Sequence, residues 1–347
     1  MKRVKVAIVG ASGYTGSELV RLILLHPQIE LVAVTSRQYE GQTLASVFPR
    51  FKQLPGSDLT FVAPDAEAIK VAGAEAAFLA LPHGVASDYA IALLDRDVRV
   101  IDLSADFRLN DAAIYEEFYN VPHPAPALLD EGVYGLPERR PEAIRGARLV
   151  ASPGCYPTSI ILPLSPLLEA GLIEGNSVQA FSMSGVSGAG KNTKTPAFLY
   201  VECNESVRSY GLPRHRHIAE IEQELAIAAG EPVKITFTPH LIPVTSGIAS
   251  TITATFSGSD PEQIGEALTE AYADSPFVRL LGKGVSADTK NVTRTNFLDI
   301  GWHFDSRTKR VIITSAEDNL VKGAGGQAIQ SFNLMFGLDQ TAGLILA

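Results

Sequence analysis

Residues 4–24 read VKVAIVGASGYTGSELVRLIL, and this stretch decides the fold. Residues 4–9 are a short β-branched and apolar run that stops at a glycine, as a strand buried on both faces does. From 17 to 25 apolar side chains recur at helical spacing, and His26-Pro27 ends the run, because proline disfavours helical backbone in the residue before it. The opening unit is therefore strand, glycine turn, helix. Residues 29–35, 76–81 and 98–103 read as further strands, with a helix over 85–95 between the last two. Strands alternating with helices imply a parallel sheet.

Residues 110–148, rich in Pro, Tyr and Glu, break this rhythm and read as an extended connection between domains, with the boundary near residue 150. Beyond it, a helix over 157–170 precedes Thr-rich or alternating runs at 178–183, 233–239, 248–256 and 311–315. These predict a mixed or antiparallel sheet with helices on one face, over 219–229 and 261–273. A last helix, from 322 or 325 to 335, follows a glycine-rich turn and is expected to pack back on the first domain. The class is α/β followed by α+β, and 347 residues at 46% hydrophobic suffice for two cores.

Composition narrows the function. A formal charge of -9 with no run of Lys and Arg argues against nucleic acid as a partner. Two cysteines are too few for a disulfide framework and point to a reducing, cytoplasmic setting. The basic N-terminus and its short apolar run are cut by Gly10 before a signal core or membrane span could form, so a soluble protein without a targeting segment is expected.

Gly10, Gly13 and Gly16 lie between the first strand and first helix, where a pyrophosphate needs close backbone approach and helix N-terminal amides. With Ser12, Tyr14 and Thr15 they form the candidate dinucleotide turn. The alternative is a purely structural tight turn. An NAD site usually has an acidic residue at the end of the second strand, but here the sequence is Thr35-Ser36-Arg37. A hydroxyl and a guanidinium suit a 2′-phosphate, so NADP(H) is favoured, unless Arg37 is only a solvated loop charge.

Cys155, in ASPGCYPTSIILPL, stands just ahead of a helical run, where first-turn amides favour thiolate, while Ser152 and Gly154 leave room for a carbonyl. Otherwise it is a small buried hydrophobe. Cys203 has no such setting. A thioester mechanism needs an acid-base group, and His215 and His217 in LPRHRHIAEIEQEL open an amphipathic helix, at positions able to project into a cleft. His83 ends a strand on the cofactor side. No metal is expected, since two histidines two residues apart lack the helical spacing of a ligand pair.

GASGYTG, LPHG, DLSADFR, ASPGCYPT, SGVSGAGK, HRHIAEIEQEL and DNLVKGAGGQAIQ together resemble, in order, the motifs of the N-acetyl-gamma-glutamyl-phosphate reductases. The wider superfamily includes aspartate-semialdehyde dehydrogenase and is glyceraldehyde-3-phosphate dehydrogenase-like. The resemblance implies a Rossmann-like NADP-binding domain over 1–150, a mixed-sheet catalytic and dimerisation domain over 151–318, and a C-terminal segment, 319–347, returning to the first. It implies NADPH-dependent reduction of an acyl phosphate through a thioester on Cys155, with His217 as the acid-base residue and His215 less favoured. It makes Arg108 similar to the arginine that meets the substrate phosphate; an ion pair with Asp102 or Asp106 is its alternative. Ser152, His215 and Lys191 join it as substrate-side candidates. Ser184, Gly185 and Gly188, in the turn 184–191, would offer amides to cofactor or substrate, and Asn319 resembles part of the nicotinamide-side turn. The partners implied are a small acyl-phosphate substrate and inorganic phosphate, with no membrane and a homodimer or homotetramer as the assembly. A cousin acting on carrier-bound aminoadipyl phosphate typically has Asn-Ala-Thr after the cysteine, whereas this chain has Tyr156-Pro157-Thr158. Direct hydride transfer past an inert Cys155, or a non-catalytic NADPH sensor on the same fold, are the rival classes.

Overall fold

A computed structural model describes residues 3–191 and 195–344; the first two residues of the basic start lie outside it, as do 192–194 and the last three. The chain forms two compact units, one of residues up to 113, 121–153 and from 324 onward, the other of 114–120 and 154–323.

In the first unit, β1 (Val4–Val9), β2 (Ile29–Thr35), β3 (Phe61–Val62), β4 (Ala76–Leu79), β5 (Arg99–Asp102), β6 (Gly132–Tyr134) and β7 (Leu149–Ala151) make one seven-stranded sheet in the order β3-β2-β1-β4-β5-β7-β6. Every pairing is parallel. Helices α1 (Tyr14–Leu24), α2 (Leu44–Val47), α3 (Ala66–Val71) and α4 (Ala86–Leu94) join the strands, because a parallel connection must cross back over the sheet. Strand order reverses between β1 and β4, and the carboxyl end of such a switch point is where open parallel sheets bind ligands. Val6 to Val9 and Ala76 to Leu79 are fully buried, which explains why these strands read as unbroken apolar runs.

Residues 110–148 are not an extended connection. They hold α5 (Ala112–Tyr119), β6 and α6 (Pro141–Gly146), and with β7 they widen the sheet by two strands. Both strands have three residues, too short for any periodicity to register. The first unit includes 121–153, and the chain rejoins it at Ala324.

Besides 114–120 of α5, the second unit contains α7 (Cys155–Glu169), β8 (Gln179–Ser184), α8 (Tyr200–Cys203), β9 (Arg208–Ser209), α9 (His217–Ala229), β10 (Thr236–Leu241), β11 (Ile248–Thr255), α10 (Glu262–Tyr272), β12 (Val278–Lys283), β13 (Leu298–Asp305) and β14 (Arg310–Glu317). Its strands form a mixed seven-stranded sheet, β12-β13-β14-β11-β8-β10-β9. Strict alternation along β8 sends Ala180, Ser182 and Ser184 inward and leaves Phe181 and Met183 exposed, so one face is helix-covered and the other open. β12 and β13 had no counterpart in the sequence reading, and the strand expected at 233–239 lies at Thr236–Leu241.

A buried column of hydroxyls fastens α7 to this sheet. Ser250 Oγ meets Ser159 Oγ at 2.8 Å and Ser182 Oγ at 2.6 Å, and Ser315 Oγ donates to the Ser159 carbonyl at 2.6 Å. A satisfied buried network of this kind fixes one packing of the helix and hence the place of its first residue, Cys155. A π turn over Val321–Gly325 leads into α11 (Gly326–Met335), which packs against α1, α6 and β5 of the first unit.

Candidate active site

In the first unit the glycine turn divides by physical need. Gly10 has φ +86°, and a Cβ there would lie 2.5 Å from the Ala80 carbonyl oxygen; one on Gly16 would lie 2.4 Å from that of Gly10. Both are glycine because the fold allows nothing else. A Cβ on Gly13 meets nothing within 4 Å, so the space above that residue is open. Gly13 also caps α1 without a side-chain bond, leaving no capping side chain over the first-turn amides, where Tyr14 is exposed and Thr15 half-buried. Thr35 ties the turn to β2, its Oγ1 accepting from the Gly10 amide and its carbonyl from that of Ala11. Beside it Ser36 Oγ donates to Ser12 Oγ at 3.1 Å, while Arg37 is exposed and enters no ion pair among the described residues. A dinucleotide with a 2′-phosphate fits this cradle: the space above Gly13 is open, and the exposed Arg37 guanidinium stands just past the end of β2.

The DLSADFR segment is a second network in that unit. Asp106, fully buried, accepts from the amides of Gly84 at 2.7 Å and Ser87 at 3.2 Å, holding the LPHG turn, with His83, at the start of α4. Asp102 accepts from the amide and hydroxyl of Ser104. Its complete burial pushes the carboxyl up to about 7, with Asp106 adding to the rise and the Ser104 bonds and Arg108 opposing it. Arg108 is buried and donates from Nε to the Ser152 carbonyl at 2.8 Å and from Nη2 to the Leu103 carbonyl at 2.9 Å. Its guanidinium thus braces two loops. Ser152 itself is buried, and its hydroxyl has no hydrogen-bond partner among the described residues.

In the second unit Cys155 is the first residue of α7, two earlier than the expected helix start, and Gly154 is its cap. It is half-buried, in contrast to Cys203, which is buried and donates to the Ala197 carbonyl. Gly154 has to be glycine: a Cβ would lie 2.6 Å from His217 Nε2 and 2.7 Å from Glu220 Oε1. The histidine therefore presses against the residue directly before the cysteine. On the other side, a Cβ at Gly323 would lie 2.9 Å from both Cys155 Cβ and Glu317 Oε1, so the π turn brings bare backbone against the cysteine.

His217 begins α9, and its own amide donates to His215 Nδ1 at 3.1 Å. His215 thus serves as an imidazole cap. Its ring packs edge-on to Tyr156, Tyr210 and Phe237, and burial, helped by the neighbouring Arg216 charge, pushes it down to about 4. It stays neutral at pH 7, as an acceptor nitrogen must. Tyr156 and Tyr210 share a 2.7 Å hydroxyl bond, and burial raises both far above the ordinary phenol. Arg214 lies over Phe118 at 4.9 Å and pairs with Glu117, and Arg216 lies over Tyr119 at 5.5 Å, so α5 grips the segment leading to His217.

The turn after β8 is held by its own backbone bonds. The amides of Gly185, Val186, Ser187, Gly188 and Gly190 all donate to backbone carbonyls, of Gly247, Val244, Thr245, Gly185 and Ser187 in turn. These amide bonds hold the turn in place. Asn319 is buried as part of the same support, accepting from the Gly247 amide at 2.7 Å and donating to Ser187 Oγ at 3.0 Å. Lys191 is exposed beyond the turn.

Two domain families match the chain: residues 5–147 that described as "Semialdehyde dehydrogenase, NAD binding domain", and residues 155–319 that described as "Semialdehyde dehydrogenase, dimerisation domain". A curated N-acetyl-gamma-glutamyl-phosphate reductase of Akkermansia muciniphila is 64% identical over 345 residues, 99% of each chain. The namesake of Geobacter metallireducens is 50% identical, covering 98% of this chain and 97% of its own. The chain belongs to the N-acetyl-gamma-glutamyl-phosphate reductase family. Among solved structures, aspartate semialdehyde dehydrogenase II of Vibrio cholerae superposes with a TM-score of 0.73 at 17% identity, over 97% of this chain and 99% of that one. The NADP complex of the Candida albicans aspartate semialdehyde dehydrogenase gives 0.73 at 16% identity, over 96% and 99%. At such identities the likeness shows the fold. Within this reductase family member, the residues to which the sequence reading gave no role at the site were Glu220, Gly154 as a contact position, and Tyr210. For Glu220 a signal existed, because residues three apart on a helix share a face and HIAE places a carboxylate beside His217.

Proposed function

We propose that this chain reduces N-acetyl-L-glutamyl 5-phosphate to N-acetyl-L-glutamate 5-semialdehyde and phosphate with NADPH, the step of arginine biosynthesis, through a thioester on Cys155. The observation that carries the reading is the approach of His217 Nε2 to Gly154, directly before a cysteine at a helix N-terminus. The first-turn amides and dipole of α7 favour the thiolate, and an adjacent imidazolium favours it further. The Cys155 thiolate attacks the acyl carbon, the carbon–oxygen bond to phosphate breaks, and phosphate leaves with that electron pair. The 10–16 turn, Ser36 and Arg37 would hold NADPH, which would supply a hydride to the thioester carbon. His217 protonates the resulting alkoxide and recovers the proton as the carbon–sulfur bond breaks, releasing the aldehyde and the thiolate. Arg108, Ser152, His215 and Lys191 stay as the substrate-side candidates. For Ser152 the support is its unpartnered buried hydroxyl.

The open face of the second sheet, with Phe181 and Met183, is suited to pairing with a second copy, in keeping with the matched dimerisation domain. Met183→Asp is expected to yield a monomer by light scattering; an unchanged mass removes this face from the assembly. No described helix is long and apolar enough to cross a membrane, and two free cysteines suit a reducing cytoplasm. The assay is run in reverse: the chain should oxidise N-acetylglutamate semialdehyde with NADP+ only when phosphate is present. Oxidation independent of phosphate, or none at all, overturns the acyl-phosphate reading.

A further inference from the structure

On the edge of the parallel sheet opposite the glycine turn, the first unit holds a cavity of about 330 Å³ that the proposed reaction does not use. Lys5, Glu75 and Arg99 stand side by side where β1, β4 and β5 begin. Their backbones are joined, the Glu75 amide donating to the Lys5 carbonyl at 2.8 Å and the Arg99 amide to the Glu75 carbonyl at 3.1 Å. Lys70 from the last turn of α3, Asp97 and the Phe336 ring complete the lining. A Cβ on Gly73, also in the wall, would lie 3.8 Å from Lys5 Nζ, which places that ammonium at the cavity. We propose that this cavity is a binding site for a free acidic α-amino acid.

Arg99 is already held in a binding posture. Its Nη1 donates to the Met335 carbonyl at the end of α11, and its guanidinium lies over the Phe336 ring at 4.8 Å. Fixed through one nitrogen and one face, it keeps its Nε–Nη2 edge without a hydrogen bond among the described residues. That edge is the fork that grips a carboxylate in two parallel bonds. Lys5, Lys70, Arg99 and Asp97 form no ion pair among the described residues, so the fold does not neutralise them. Glu75 Oε1 accepts from the Lys5 amide at 3.3 Å, which fixes its carboxylate at the same edge. This mixture of signs selects the ligand. A phosphate dianion would face the like charges of Glu75 and Asp97, whereas an α-ammonium complements them. Three cations against two carboxylates leave one positive charge, which a second carboxylate on the ligand balances. An acidic amino acid carries the whole set: an α-carboxylate for Arg99, an ammonium for Glu75 and Asp97, and a side-chain carboxylate for Lys5 and Lys70. Phe336 offers its methylenes an apolar face, and the volume suits a ligand of about ten heavy atoms.

Isothermal titration of the full-length protein with L-glutamate tests the site. Saturable binding is expected, with glutarate, which lacks the ammonium, and L-glutamine, which lacks the second carboxylate, each weaker by about tenfold or more. Arg99→Met removes the fork, and Lys70→Glu reverses one charge on an exposed helix end; either should weaken L-glutamate by about tenfold or more. Lys70 makes no side-chain bond among the described residues, so Lys70→Glu decides the question if loss of Arg99 loosens α11. N-acetyl-L-glutamate, whose nitrogen is uncharged, distinguishes this cavity from the proposed substrate site and should not displace L-glutamate. The proposal is overturned by an absence of saturable binding, by equal affinity for glutarate or L-glutamine, by unchanged affinity in Lys70→Glu, or by displacement with N-acetyl-L-glutamate. Binding is read without turnover, so failure of the acyl-phosphate reading would leave this test standing.

Discussion

The three glycines of the 10–16 turn separate packing from binding, one residue at a time. Gly10→Ala sets a methyl against the Ala80 carbonyl and forces a left-handed φ, so it should destabilise the first unit by about 1–3 kcal/mol in urea melts. Gly13→Ala meets open space and should leave stability unchanged while weakening NADPH binding about tenfold or more, read by fluorescence titration. Equal NADPH affinity for Gly13→Ala and the parent would take the cofactor away from this turn. Asp102 adds a pH signature. Its carboxyl lies at about 7 in the folded chain against an ordinary 3.8, so the folded state holds the proton more tightly than the unfolded state. That contribution to stability is full below pH 4 and is lost as pH rises towards 7, with a limiting slope of about 1.4 kcal/mol per pH unit. Asp102→Asn should therefore gain stability relative to the parent between pH 5 and pH 8. A difference between the two proteins that is constant across that range contradicts the buried, proton-holding carboxyl.

The element with the least expected role is α5, which joins the second unit through residues 114–120 although both flanks belong to the first. Its Phe118 and Tyr119 rings sit under Arg214, which precedes His215, and Arg216, which lies between His215 and His217. Phe118→Ala removes a cation–π contact worth about 0.5–1 kcal/mol at an exposed site, so the fold should survive. The prediction is a several-fold fall in kcat with NADPH affinity unchanged, and recovery in Phe118→Tyr; a variant with parental kcat would show that the grip does not reach His217. This element also marks where sequence reading stops. Strands buried on both faces and the helix behind Cys155 announce themselves by apolar runs, and so β1, β2, β4, β5 and α7 were legible. Three-residue strands such as β6 and β7 carry no period, and β12 and β13 pair across the sheet through contacts that no local pattern encodes. The helix-start positions of Cys155 and His217 were legible, since each residue opens its helix. Glu220, the Gly323 contact and the amide bonds of the 184–191 turn depend on chain segments far apart in sequence, which only folding brings together.

At the scale of the whole molecule, two sheets divide the labour that the chemistry requires. A parallel sheet ends in a turn shaped for a dinucleotide, and a mixed sheet with a buried serine column holds a helix whose first residue is Cys155. The second unit gathers Cys155, His217, Glu220 and Gly323 from across 154–323, so its nucleophile setting does not depend on local sequence alone. In the proposed reaction this sulfur carries the acyl group. The direct measurement is rapid mixing of the enzyme with N-acetyl-L-glutamyl 5-phosphate in the absence of NADPH, followed by quenching, phosphate assay and peptide mass analysis. The account predicts a burst of phosphate close to one per active site, with an N-acetylglutamyl adduct on the peptide containing Cys155 and no adduct or burst in Cys155→Ser. A burst with the acyl group on another residue, or an undiminished burst in Cys155→Ser, contradicts it.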